Sequence, residues 1–214
     1  AFSGAATILD AGNLTAAAAM MEAVRDLRNG DADVSLAGVV TSPLSRAYLE
    51  GLSGIVQFSE KPSYAPFSQD ADGTIPGEGG AFFVLKRRED ALRAHDRIYA
   101  LIRSGAIGHN PDNDGSEIIA RALHRVGVEV RTVGLIEADG SGVPGPEARE
   151  IAAIQKLWGA HRPGGPLVGI GSIKGNIGHT LKAGMAAGLL KVALALHHRV
   201  LPPQIAPERP AEAL

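Results

Sequence analysis

The chain has 214 residues, a formal net charge of −2 and no cysteine. The lack of cysteine excludes disulfides, thiolate metal sites and a thiol nucleophile within these residues. The mixed, nearly neutral charge gives no basic surface for nucleic acid or an anionic membrane, and no apolar run could span a bilayer. The apolar start, residues 1–9, lacks the basic region of a secretory signal, so we expect a cytoplasmic protein.

Helical and extended patterns alternate along the first half of the chain. Apolar residues at helical spacing predict a helix over residues 13–28, and Gly30 provides a stop signal after it. Continuous apolar runs predict buried strands at 33–40 and 81–85. The intervening residues, 41–80, are rich in Ser, Pro and Gly and are predicted to be mostly irregular.

The second half shows the same alternation. The predicted strands are 98–107, 133–138 and 167–171, and the predicted helices are 117–126, 147–158 and 181–197. The last helix is apolar on most faces, so we expect it to be buried. Alternation of strands and helices predicts an α/β fold with a largely buried sheet. The pattern divides the chain into two halves, 1–95 and 96–214.

Four stretches, in this order, together resemble the β-ketoacyl synthase (ketosynthase) family of polyketide and fatty-acid synthases. They are ILDAGN at 8–13, the Gly-rich stretch and strand at 70–87, EADGSGVPGPEARE at 137–150 and SIKGNIGH at 172–179. The resemblance implies a thiolase-like fold of αβαβα layers, here in part, with both ends of the family domain missing. Residues 1–95 would be the end of the N-terminal half, with the nucleophile region, and 96–214 most of the C-terminal half.

The family's chemistry explains these residue types. A cysteine at a helix N-terminus takes the acyl chain as a thioester, which is covalent catalysis. Two histidines donate hydrogen bonds to the enolate that forms when a malonyl thioester loses carbon dioxide. The resemblance therefore implies an acyltransferase without a tightly bound cofactor or metal. Its substrate would be presented on the phosphopantetheine of an acyl carrier protein.

Two of the catalytic positions depart from the family pattern. The cysteine position falls on Asn13 and the first histidine position on Asp139, whereas Lys174 and His179 match. Glu150 matches the acidic residue expected to pair with that lysine, and a second supporting acid, Glu147, stands where aspartate is usual. An amide is no nucleophile, and an ionised carboxylate repels an enolate.

Structural roles explain several of these residues equally well. Asn13 is a good helix N-cap, Asp139 next to Gly140 could cap its own backbone, and Glu147 and Glu150 could favour the start of their helix. His179 would be structural or would line an acyl or pantetheine pocket. Asp139 and His179 alone are too few ligands for a metal site.

Three functional hypotheses follow. The first is a condensation-incompetent domain, similar to a chain-length factor, that pairs with an active ketosynthase in a homo- or heterodimer and shapes the acyl tunnel. Its first helix, 13–28, would lie near the two-fold interface and limit chain length. The second is a decarboxylase of malonyl- or methylmalonyl-carrier protein that uses His179 and Asn13. The third is part of an active ketosynthase whose cysteine lies outside these residues.

Overall fold

The chain folds into two compact units, each built from segments that are distant in sequence. The computed structural model describes residues 4–42, 45–64, 66–108, 114–159 and 168–212. Unit 1 comprises Ala1–Thr41, Gly79–Leu101 and Thr180–Leu201. Unit 2 comprises Ser42–Glu78, Ile102–His179 and Pro202–Leu214.

Helices and strands alternate in the described residues. The helices are α1 Thr15–Asn29, α2 Arg46–Ser53, α3 Arg88–Arg93, α4 Ser116–His124, α5 Pro144–Trp158, α6 Lys174–Ile177 and α7 Gly184–His198. The strands are β1 Val34–Thr41, β2 Gly79–Lys86, β3 Leu135–Glu137 and β4 Gly169–Gly171. Short 3₁₀ turns occur at Val130–Thr132 and Leu181–Ala183.

The core of unit 1 is an antiparallel pair of strands covered on one face by helices. In the register of β1 and β2, Ala37 lies opposite Phe83 and Val39 opposite Ala81. The buried face of this pair packs against small residues of α1, the 3₁₀ turn and α7, among them Ala16, Ala183 and Ala186. Small side chains let the helices approach the sheet closely, which the low aromatic content of the sequence also favours.

The opposite face of the same pair is exposed. It carries the apolar side chains Val34, Leu36, Val40, Phe82 and Val84. Strands buried on both faces were expected, and within the described residues that expectation is wrong for this outer face. The alternation of buried and exposed positions along β1 shows the period of two that a strand covered on one side requires.

Unit 2 contains the second pair of strands. Here β3 and β4 run parallel, with Ile136 opposite Ile170. Helix α5 packs next to α4 and the 3₁₀ turn, and the Trp158 indole N–H donates to the carbonyl of Val130 at 3.1 Å. Two loops are joined where Arg209 forms an ion pair with Asp70.

Most predicted elements are present, and the differences have physical causes. Residues 98–107 form no strand, because no segment of the described chain lies beside them to complete a ladder of backbone hydrogen bonds. Helix α2 lies inside the stretch predicted to be irregular, where Ser45 caps its first turn. The strand predicted from residue 167 is seen at Gly169–Gly171, and residue 167 lies outside the described residues.

The burial predicted for the last helix is also only partly observed. In α7, Gly184, Ala186 and Gly188 are buried, whereas Leu194 and Leu196 are exposed. Within the described ranges, no helix combines the length and apolarity needed to cross a bilayer.

Candidate functional site

Five of the six predicted site residues lie in unit 2. Asp139 follows β3, Glu147 and Glu150 lie on α5, Lys174 begins α6 and His179 follows that helix. The sixth, Asn13, belongs to unit 1. The structure thus gathers the three motif residues Asp139, Glu150 and Lys174 into one hydrogen-bonded network.

Lys174 is the buried cation of this network. Its side chain is only 4% exposed, and its ammonium forms an ion pair with the Asp139 carboxylate. The same ammonium donates to the Asp139 carbonyl oxygen at 2.6 Å. Ser172 donates to that carbonyl as well, at 2.9 Å. A buried ammonium needs such partners, because leaving it unpaired away from water is costly.

Asp139 therefore has a different role from the one expected for an aspartate before glycine. We expected its carboxylate to cap its own backbone. Instead, the carboxylate points to Lys174, 35 residues away in the sequence. That long-range partner could not be inferred from the local turn pattern.

Glu150 closes the turn between β3 and α5 rather than pairing with Lys174. Its two carboxylate oxygens accept from the backbone N–H of Asp139 at 2.5 Å and of Gly140 at 2.8 Å. Burial raises the pKa of Glu150, and these two hydrogen bonds act in the opposite direction. The expected direct pairing of Glu150 with Lys174 is thus replaced by a pairing with the main chain.

Glu147 joins two loops in the interior of unit 2. The residue is 3% exposed, and its oxygens accept from the backbone N–H of Phe67 and of Gly142, both at 2.8 Å. Burial raises the pKa of Glu147 despite these hydrogen bonds. Glu147 also lies in the first turn of α5, as the helix-start interpretation predicted.

Tyr64 is a site residue that the sequence did not reveal. Its hydroxyl donates to the Gly140 carbonyl at 2.6 Å. Burial raises the pKa of Tyr64, so the hydroxyl keeps its proton and remains a donor. Ser172, in contrast, stood inside the motif at 172–179, and its fixed place in that motif was an available signal.

His179 is held by its backbone and surrounded by protein. Its N–H donates to the Ile75 carbonyl at 2.7 Å, and its carbonyl accepts from Gly77 N–H at 3.0 Å. Burial, followed by the Lys174 cation, lowers the pKa of His179 to about 4, against an opposing effect of Asp139. The imidazole is therefore neutral at pH 7, with one N–H donor and one acceptor nitrogen.

A glycine requirement fixes the backbone beside His179. A Cβ on Gly77 would lie 2.2 Å from the Ile177 carbonyl oxygen, which no side chain can tolerate. Gly178 has a φ of +75°, a conformation that glycine adopts readily. The loop residues that contact His179 are thus constrained to one backbone path.

Asn13 does not cap the first helix, contrary to expectation. The N-cap position is Leu14 and no side chain caps α1. The local turn is closed by Thr15, whose hydroxyl donates to the Gly12 carbonyl at 2.7 Å and accepts from Ala11 N–H at 3.0 Å. Asn13 is exposed, and residues 8–10 form no strand, so the predicted strand before the turn is absent from this described segment.

Metal ligation was tested against the same geometry. Across the portion of the chain that the structure describes, no group of three or more His, Asp or Glu side chains is placed to hold a metal ion. The carboxylates of the network are engaged by Lys174 and by backbone N–H groups instead.

The Asp139–Lys174 pair should give a measurable coupling energy. In a double-mutant cycle with Asp139→Asn and Lys174→Met, we expect a coupling of about 1 kcal/mol that decreases at high salt, because the Asp139 side chain is largely exposed. The measurement is urea denaturation of the four variants. The exposed pair Arg131–Glu129 serves as the control and should couple more weakly. A coupling for Asp139–Lys174 that does not exceed the control would contradict this assignment.

Comparison with known families matches the chain in two parts. The profile described as β-ketoacyl synthase, N-terminal domain, matches residues 1–91, and the one described as β-ketoacyl synthase, C-terminal domain, matches residues 101–208. The chain belongs to the β-ketoacyl synthase family.

Curated relatives of this ketosynthase chain are large synthases. Methylphloroacetophenone synthase of Cladonia uncialis is 34% identical over 212 residues, which are 95% of this chain and 8% of that protein. Mycocerosic acid synthase-like polyketide synthase of Mycolicibacterium smegmatis is 36% identical over 208 residues, which are 93% of this chain and 10% of that protein. The chain thus spans a small part of these proteins and is of the polyketide-synthase type of ketosynthase.

Solved ketosynthases share its fold. The oxazolomycin ketosynthase domain of Streptomyces albus superposes with a TM-score of 0.89 at 32% identity, covering 100% of this chain and 39% of that one. A type II polyketide synthase ketosynthase, in complex with its acyl-carrier protein, superposes with a TM-score of 0.89 at 25% identity, covering 99% of this chain and 55% of that one. The fold is therefore the thiolase-like α/β fold.

Proposed function

We propose that this ketosynthase chain belongs to a cytoplasmic domain that does not carry out condensation by itself. It would work with an active ketosynthase on acyl groups held by the phosphopantetheine of a carrier protein. The observation that carries the proposal is the ion pair between Asp139 and Lys174. It occupies the position where the family pattern has the first histidine.

The chemistry of that ion pair differs from that of a histidine. An ionised carboxylate has acceptors only, so Asp139 has no proton to donate to an enolate oxygen. Its negative charge would also oppose the negative charge that develops on the enolate. With no cysteine among the 214 residues, the chain also supplies no thiolate to take the acyl group.

A partner role fits the exposed apolar residues of α1. The inner side of this helix is used within unit 1, where Ala16 and Met20 are buried against the strands. Leu14 and Met21 remain exposed on the same helix. We propose that these two side chains face the two-fold interface and narrow the acyl tunnel of the partner ketosynthase.

The comparisons support parts of this proposal. One structural neighbour is a ketosynthase captured in complex with its acyl-carrier protein and bound to a hexaketide. Another relative, 33% identical over 218 residues, is one component of the polyunsaturated fatty acid synthase of a Thraustochytrium species. The first shows a ketosynthase together with a carrier protein, and the second places a related sequence in a synthase built from several chains.

The test is reconstitution of product formation from malonyl-carrier protein. We expect product only when the protein that carries this chain is combined with an active ketosynthase. Leu14→Ala and Met21→Ala should lengthen the product, whereas Leu92→Ala, at an exposed leucine of α3 in the same unit, should leave its length unchanged. Product formed by the protein alone would instead support the third hypothesis, that of a cysteine outside these residues.

A second candidate function rests on the neutral His179. A neutral imidazole N–H could donate to the oxygen of a malonyl thioester as its C–C bond to the carboxylate breaks. The electron pair of that bond would form the enolate, carbon dioxide would leave, and a proton from solvent would complete the acetyl thioester. This decarboxylase function predicts carbon dioxide release that His179→Ala abolishes. Release that survives the substitution would exclude it.

A further inference from the structure

A cavity of about 500 Å³ lies in unit 2 between β3, α4 and α5. It opens beside the Asp139 end of β3, and His179 does not line it. Its volume falls in the range of pockets that take small molecules, roughly 300–1,000 Å³. The side chains around it fall into an apolar group and a charged group.

The apolar group forms one wall. It consists of Ile136 on β3, Ile119 on α4, and Ile154 and Trp158 on α5. The Trp158 N–H already donates to Val130, so the indole presents its ring without an unsatisfied donor. Such a wall suits an aliphatic or aromatic body.

The acidic side chains around the cavity all have partners within the protein. Asp114 accepts from Ser116 N–H at 2.8 Å and lies 3.7 Å from the Lys156 ammonium. Glu137 accepts from Ile173 N–H at 2.6 Å. Asp139 is paired with Lys174, and Glu150 accepts from two backbone N–H groups. Their charges are therefore balanced in part before any ligand arrives.

Arg149 differs from these groups. It lies on α5, lines the cavity and is exposed. Within the described residues it makes no ion pair, although it is one turn from the paired groups at the end of β3. A guanidinium in that state is a ready partner for a carboxylate or phosphate, which it can bind through two parallel hydrogen bonds.

From the apolar wall and the unpaired guanidinium we propose that this cavity binds a small amphipathic anion. The ligand has an aliphatic body that lies against Ile119, Ile154 and Trp158, and a carboxylate or phosphate head that binds Arg149. Binding is non-covalent and separate from chemistry at His179, so the inference stands whether or not the proposed partner role is correct.

The test measures ligand affinity in the intact protein that carries this chain. Isothermal titration calorimetry with decanoate and with decyl phosphate gives the affinity for each anionic head, and decyltrimethylammonium is the control with a cationic head and a chain of equal length. A photoreactive diazirine analogue of decanoate, followed by peptide mass spectrometry, locates the site. Labelling should fall on peptides of α4 and α5.

Four variants separate the head and body contacts. Arg149→Glu should weaken anion binding roughly tenfold or more, since a charged hydrogen bond of this kind contributes about 1.5–3 kcal/mol. Arg149→Lys should retain most of the affinity. Ile119→Trp, at a half-buried position, should fill the cavity and weaken binding while the cation remains. Arg131→Glu changes an exposed arginine of the same unit away from the cavity and should have no effect.

Two results would overturn the proposal. One is anion binding that Arg149→Glu and Ile119→Trp both leave unchanged, with labelling outside α4 and α5. The other is binding of the ammonium control but not of decanoate or decyl phosphate, which would show that the acidic lining groups dominate the cavity.

Discussion

Replacing Glu147 by alanine should lower the free energy of unfolding by about 4 kcal/mol, because it leaves two buried backbone donors without acceptors. These donors are the N–H groups of Phe67 and Gly142, each 2.8 Å from a Glu147 oxygen. Each unsatisfied buried donor costs about 1–3 kcal/mol. Urea denaturation of the ketosynthase domain measures the change.

Two further variants show whether the hydrogen bonds cause the loss. Glu147→Gln keeps the length of the side chain and one acceptor oxygen, so it should lose about half as much stability. Glu117→Ala removes an exposed acid from the first turn of α4 and should cost less than about 1 kcal/mol. If Glu147→Ala were no more destabilising than Glu117→Ala, the buried acceptor role would be wrong.

Acidification should destabilise the domain through His179. Its pKa is 6.5 in a model compound and about 4 in the folded protein, so the unfolded chain binds more protons between these two values. Stability is therefore present above pH 6.5 and is lost as the pH falls toward 4. Between pH 7 and pH 4.5 this one residue should reduce the free energy of unfolding by roughly 2 kcal/mol.

Variants of two histidines isolate this effect. His179→Gln should remove the His179 part of the pH dependence, whereas His124→Gln, at an exposed position on α4, should retain it. Glu147 and Glu150, whose pKa values are raised, contribute in the opposite direction, since their stability contribution falls as the pH rises. They are unchanged in both variants. Equal pH slopes for His179→Gln and the wild type would contradict a buried neutral imidazole.

Periodic sequence patterns predicted the elements that depend on local physics. The helix predicted at 13–28 is α1, and its end at Gly30 follows from the left-handed conformation of that glycine, with φ of +83°. The strands predicted at 33–40 and 81–85 are β1 and β2. The division at residue 95 stays a prediction.

Elements that depend on distant partners were not predictable in the same way. Residues 98–107 have the composition of a strand, but a strand also needs a neighbour, and none lies beside them in the described chain. The outer face of β1 and β2 was predicted to be buried for the same reason. An apolar run shows that a residue suits the interior, and it does not show which segment covers it.

The site shows the same division. The motifs identified Lys174, His179, Asp139, Glu147 and Glu150 as candidates. Their roles followed from contacts across many residues, such as Glu147 with Phe67, separated by 80 positions. Tyr64 carries no motif at all, and only the fold brings its hydroxyl to Gly140.

The central claim is that this ketosynthase chain lacks condensation chemistry of its own. The most direct measurement is carbon dioxide release and product formation from malonyl-carrier protein by the purified protein that carries it, without another ketosynthase. We predict neither carbon dioxide nor condensation product under these conditions, and product once an active ketosynthase is added. Condensation product from the protein alone would contradict the claim, and carbon dioxide alone would favour the decarboxylase function of His179.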